Sequence, residues 1–65
     1  MNSATENQIK ALFFSLWRVK ANYTPEIAEK IKALDFGTAS NVIGMFKDGN
    51  TEMALNQLRH LGINV

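Results

Sequence analysis

A chain of 65 residues with no cysteine has room for one hydrophobic core and cannot form a disulfide or a thiolate metal site, and at this size folding hides only about 60% of the unfolded surface. Lys and Arg number 7 against 6 Asp and Glu, and the resulting charge of +1 is too weak a field for non-specific binding to nucleic acid or a membrane surface, so any such binding must be local. With 46% hydrophobic and 20% charged residues the composition is that of a folded globular domain, and no apolar run reaches the roughly 18 residues of a membrane span.

The first residues lack the basic, apolar and small-residue zones of a signal peptide, which makes a cytoplasmic location the expectation and the triplet Asn22-Tyr23-Thr24 a chance match to a glycosylation site. Ser3 with Glu6, and equally Thr5 with Gln8, form capping-box patterns, so a helix is expected from about residue 4. At about 100° per residue, Ile9, Leu12, Phe13, Leu16 and Val19 share one arc with Trp17 at its border, while Asn7, Lys10 and Arg18 lie opposite. The pattern lasts to about residue 20.

Thr24-Pro25-Glu26 then supplies an N-cap, a proline at the first helical position and an acid near the positive helix end. The second helix is expected over about 25–34, with Ile27, Ile31 and Leu34 as its apolar stripe and Glu26 to Lys30 as a favourable pair on its wet side. Gly37 permits a turn and Thr38 can cap, so a third helix is expected over about 38–48, with Ala39, Val42, Ile43 and Phe46 inward and Gly49 closing it. Asn50 or Thr51 caps a fourth over about 51–61, in which Ala54, Leu55, Leu58 and Leu61 form the stripe, Gly62 terminates and Ile63 folds back. Period-two alternation is absent, so the fold class is all-α, a bundle of three to four short helices forming a single domain over residues 1–65.

Reaction chemistry finds little raw material. His60 shares a polar face with Met53, Asn56 and Gln57, opposite the leucine stripe. Glu26 and Glu29 sit among Lys30 and Lys32 as a mixed charged surface, and Ser3, Ser15 and Ser40 occupy no nucleophile signature. Gly37, Gly44, Gly49 and Gly62 are too dispersed for a phosphate loop. The expectation is a non-enzymatic chain with no cofactor and no metal site.

Apolar residues on wet faces are more informative. Phe14 falls between Lys10 and Arg18, away from the leucine stripe. Either Lys10, Phe14, Trp17 and Arg18 form a contact patch, with aromatics to stack and cations for a phosphate or acidic partner, or Phe14 is covered by the fourth helix or the C-terminal tail. Gly44 lies inside a helix, where glycine costs about 1 kcal/mol, and so points either to close approach of another backbone or to a tolerated imperfection. Met45 and Met53 suit either an adaptable binding surface or the core margin.

Leu34-Asp35-Phe36-Gly37 and Gly49-Asn50-Thr51-Glu52-Met53-Ala54 followed by Leu58 give residues 27–61 a resemblance to ubiquitin-associated domains. That resemblance implies a three-helix bundle in which the loop at Phe36-Gly37 and the last helix hold a protein; together with the methionines Met45 and Met53, Phe36 and Gly37 make an alternative protein-binding set. Thr5-Glu6-Asn7-Gln8 and Thr38-Ala39-Ser40-Asn41-Val42-Ile43 resemble helical segments at the ends of phage-type single-strand annealing and other DNA-processing proteins, which implies a place in DNA metabolism of a phage or mobile element. The expected partner is therefore single-stranded nucleic acid or another protein, and not a membrane. A homodimer burying Phe14, Met45 and Met53 is a further form of the protein-binding alternative.

Overall fold

In a computed structural model, which describes residues 2–65, the first helix opens at Thr5 and not at Ser3. Thr5 Oγ1 accepts from the Gln8 N–H at 3.1 Å while Gln8 Oε1 accepts from the Thr5 N–H at 2.9 Å, a reciprocal box that starts α1 at Glu6–Arg18. Ser3 is engaged elsewhere. It stands in an isolated antiparallel bridge with Asp35, flanked by Ala4 N–H to the Leu34 carbonyl at 2.9 Å and Phe36 N–H to the Asn2 carbonyl at 2.8 Å. Backbone pairing of the segment before Thr5 holds it extended, so of the two capping patterns the Thr5–Gln8 box is the one used and the helix begins about two residues later than the Ser3 pattern suggests.

At its other end α1 also stops earlier than the apolar pattern. Lys20 turns into the left-handed region at φ 56°, its N–H donating to the Trp17 carbonyl at 3.1 Å and that of Ala21 to the Leu16 carbonyl at 3.0 Å. This is a Schellman closure. Helices three and four close the same way, but on Gly49 at φ 80° and Gly62 at φ 85°, whereas a side chain in that region costs about 1–2 kcal/mol. α1 alone keeps a lysine where its neighbours use glycine.

α2, Pro25–Lys32, is capped by Thr24, whose Oγ1 accepts from the Ile27 N–H at 3.2 Å, and it buries Ile27, Ala28 and Ile31. α3 runs Phe36–Lys47, so Phe36 and Gly37 belong to its first turn and not to a loop. The cap is Asp35 in place of Thr38, with Oδ1 accepting from the Thr38 N–H at 2.8 Å. Aspartate is the stronger N-cap of the two, and the first-turn donor of Phe36 is already satisfied by Asn2. α4, Thr51–His60, has Asn50 at the cap position without a side-chain hydrogen bond.

These four helices, with no strand among the described residues, make the chain an all-α bundle. α1 packs against both α2 and α3, and α3 against α4. Leu12 and Leu16 meet Ile27, Ile31, Leu34, Ala39, Val42, Ala54, Leu55, Leu58 and Ile63 in one core. Ile63 folds back as expected, its N–H on the Leu58 carbonyl at 3.0 Å and its side chain buried, while Leu61, expected in the stripe, is 45% exposed. The chain turns at Gly62 so that the position two residues beyond Leu61 supplies the apolar contact.

The last residues are tied down by Lys30 Nζ to the Gly62 carbonyl at 2.9 Å, Asn22 Nδ2 to that of Asn64 at 3.2 Å and Arg59 Nε to that of Val65 at 3.2 Å. Two of these donors come from α2 and the loop before it, so the tail is held on that side of the bundle.

A Cβ at Gly44 would meet nothing within 4 Å, so no backbone approaches it closely. Gly44→Ala is therefore expected to raise stability by about 1 kcal/mol, the helix-propensity difference, read as a higher urea midpoint at unchanged slope. A drop would show that a side chain at this position is more crowded in the folded chain than its open surroundings indicate.

Candidate functional site

Phe14, Trp17 and Arg18 stand at i, i+3 and i+4 on α1, a spacing that puts three long side chains over adjacent turns of one face. The Phe14 and Trp17 rings stack with centroids 6.0 Å apart and planes 28° off parallel, and the Arg18 guanidinium lies 5.9 Å from the Phe14 centroid. Phe14 is 57% exposed and Trp17 75%, so neither α4 nor the tail covers them. The covered alternative fails because the tail is anchored to Asn22 and Lys30. Lys10, one turn before Phe14, reaches back to Glu6 at 3.6 Å in a solvent-exposed pair of the kind worth at most about 1 kcal/mol.

An open groove lies on each side of this ridge. The larger, of about 790 Å³, is lined by Phe13, Trp17, Arg18, Lys20, Ala21 and Tyr23, with the Phe13 and Tyr23 rings packed edge-on at 5.8 Å and 81°. The smaller, of about 250 Å³, runs from Phe14 and Arg18 across to Ile43, Phe46, Lys47 and Thr51. No acidic residue lines either groove. Among the described residues Glu6, Glu26 and Glu29 are engaged by Lys10, Lys30 and Lys32, whereas Arg18, Lys20 and Lys47 form no ion pair. A chain of nearly balanced charge therefore gathers its unpaired cations, apart from Arg59, beside its exposed aromatics.

Lys20, Tyr23 and Lys47 were not singled out by sequence reasoning. Tyr23 lies in an irregular loop where no periodicity assigns it a face, and Lys47 reads as an ordinary helix-end cation. For Lys20 a signal existed: a helix closing on Lys-Ala-Asn with no glycine, in a chain that closes its other caps on Gly49 and Gly62.

The alternative protein-binding residues are spread along α3 and into α4. Phe36 is 46% exposed at the start of α3, Gly37 follows it within the helix, Met45 is half-buried against the core, and Met53 is 56% exposed beyond the turn at the far end of α3. Nine residues of helix between Phe36 and Met45 amount to about 14 Å. His60 is exposed in the last turn of α4, and no three His, Asp or Glu side chains converge among the described residues.

The Asp35 carboxyl is held below its ordinary range by Thr38, through its hydroxyl first and its backbone N–H second. A carboxylate lowered on folding contributes stability that is complete above the unfolded pKa and lost as pH falls through the folded one. Asp35→Ser still caps but does not titrate, so it is expected to lose less stability than the parent between about pH 5 and pH 2, measured by urea unfolding at both ends. Equal losses would mean that the cap carries no proton linkage.

No family model, curated protein or solved structure matches this chain.

Proposed function

We propose that this chain is a small non-enzymatic interaction module that holds single-stranded nucleic acid on the exposed ridge of α1. The observation that supports this most is the stacked pair Phe14–Trp17, left in solvent beside Arg18. Burying two large aromatics on folding is strongly favourable, so leaving both outside the core suits a surface that is covered by something else. Bases stack on aromatic faces without regard to sequence, and phosphates take the cations beside them. Arg18, with Lys10 one turn behind Phe14 and Lys47 across the smaller groove, supplies that charge.

The net charge of +1 favours modest affinity, with a salt dependence set by the few cations that meet phosphates at the ridge. A role as an accessory to DNA processing in a phage or mobile element rests on the resemblance of the segments at Thr5 and Thr38 and goes no further than that. A protein partner is the competing reading. It has the exposure of Phe36 and Met53 in its favour, but those residues lack the stacked aromatic pair and adjacent cation of the α1 ridge.

Titrating isotope-labelled protein with a short oligothymidylate at low salt tests the proposal. Shifts are expected in the Trp17 indole N–H and in the amides of residues 10–20, fading as salt is added. Unmoved signals there would remove the nucleic-acid reading. Self-association detected by sedimentation over a wide concentration range would favour the homodimer in its place.

A further inference from the structure

The larger groove carries one residue whose placement its own helix cap does not explain. Three of the four helices end in the same closure, and in two of them the left-handed position is glycine, as backbone sterics favour. In α1 it is Lys20 at φ 56°, and this residue lines the groove beside Trp17, Arg18 and Tyr23. Strained backbone concentrates where a side chain is needed for binding, and the strain is borne by the rest of the fold. Nothing within the molecule uses this lysine, since it makes no ion pair and no side-chain hydrogen bond among the described residues.

We propose that Lys20 is a phosphate-binding residue, and that the groove between Trp17 and Tyr23 is a nucleotide subsite of single-stranded nucleic acid. A base enters against the Trp17 and Tyr23 rings, and its phosphate is held jointly by Lys20 and Arg18. Charge complementarity decides the occupant, because the lining has two cations, no carboxylate and three aromatic rings. An acidic peptide would use the cations but leave the aromatic floor without flat partners. Duplex nucleic acid keeps its bases stacked inside and cannot fill the groove. The inference rests on the nucleic-acid reading of the α1 ridge and extends it to the next nucleotide along the strand.

The test compares the parent chain, Lys20→Gly and Lys20→Arg for thermal unfolding and for binding of a short oligothymidylate over a series of salt concentrations. Trp17, the only tryptophan, reports binding by its fluorescence. Lys20→Gly is expected to melt at a higher temperature and yet bind about three- to tenfold more weakly at low salt, with the slope of log affinity against log salt reduced by about 0.7. Lys20→Arg is expected to melt like the parent and bind like it. A Lys20→Gly chain that binds with unchanged affinity and slope would overturn the role of Lys20 while leaving the ridge in place. Fluorescence of the parent that does not respond to oligonucleotide at low salt would overturn the ridge itself, and this inference with it. A lower melting temperature for Lys20→Gly would show that the lysine is held by the fold, which removes the argument for a ligand.

Discussion

Leu12→Ala is expected to leave a large part of the chain unfolded at physiological temperature. Leu12 has no exposed surface and sits on α1, the helix that packs on both α2 and α3, so the cavity opens between elements that have no other helix to hold them together. Truncations of this kind cost about 2–5 kcal/mol. At about 0.05–0.15 kcal/mol per residue, a domain of this length has only about 3–10 kcal/mol in total, and no disulfide supplements it. Leu61→Ala makes the matched control, because its side chain is 45% exposed and its loss is expected to move stability by no more than about 0.5 kcal/mol. Urea unfolding followed by circular dichroism reads both. Similar midpoints for the two variants would contradict the assignment of the core to the α1 stripe.

The contrast between those leucines shows what the sequence conveys and where it stops. Periodicity placed Leu12, Leu16, Ile27, Ile31, Val42, Ala54 and Leu58 inside, since each falls on the arc that its own helix must bury. It extended the stripe of α4 to Leu61 because a wheel has no knowledge of where the helix ends. Gly62 turns the chain left-handed one residue later, so Ile63 takes the buried place. The start of α3 was misread for a related reason. Thr38 and Asp35 are both credible caps, and the choice depends on a carbonyl 34 residues before Phe36, that of Asn2, which receives the Phe36 N–H. Long-range backbone pairing leaves no local trace.

The candidate site divides along the same line. Phe14 and its cationic neighbours were legible as an anomaly on a helical wheel, but whether the ring is covered depends on the path of the tail. That path is settled by Asn22 and Lys30 reaching carbonyls at the other end of the chain. Tyr23 lies outside any regular element, where pattern reading has no purchase, while Lys20 was marked only by a helix end without glycine, and the folded loop brings both beside Trp17.

Trp17→Ala and Phe14→Ala separate binding from folding. Trp17 is 75% exposed, so its removal is expected to change stability by no more than about 0.5 kcal/mol, whereas loss of a base-stacking ring weakens single-strand binding by roughly five- to 150-fold. Anisotropy of a labelled oligonucleotide measures this without relying on the tryptophan. The two effects are not expected to add. Phe14 lies against Trp17 at 6.0 Å and under Arg18 at 5.9 Å, so each ring positions the other and the double variant should lose less than the sum of the single losses. Arg18→Gln should act differently, removing charge from both grooves and therefore flattening the salt dependence as well as lowering affinity. If Trp17→Ala instead destabilises the chain strongly, and only at concentrations where it sediments as a dimer, the ridge is an interface between copies and the stacked rings are its centre.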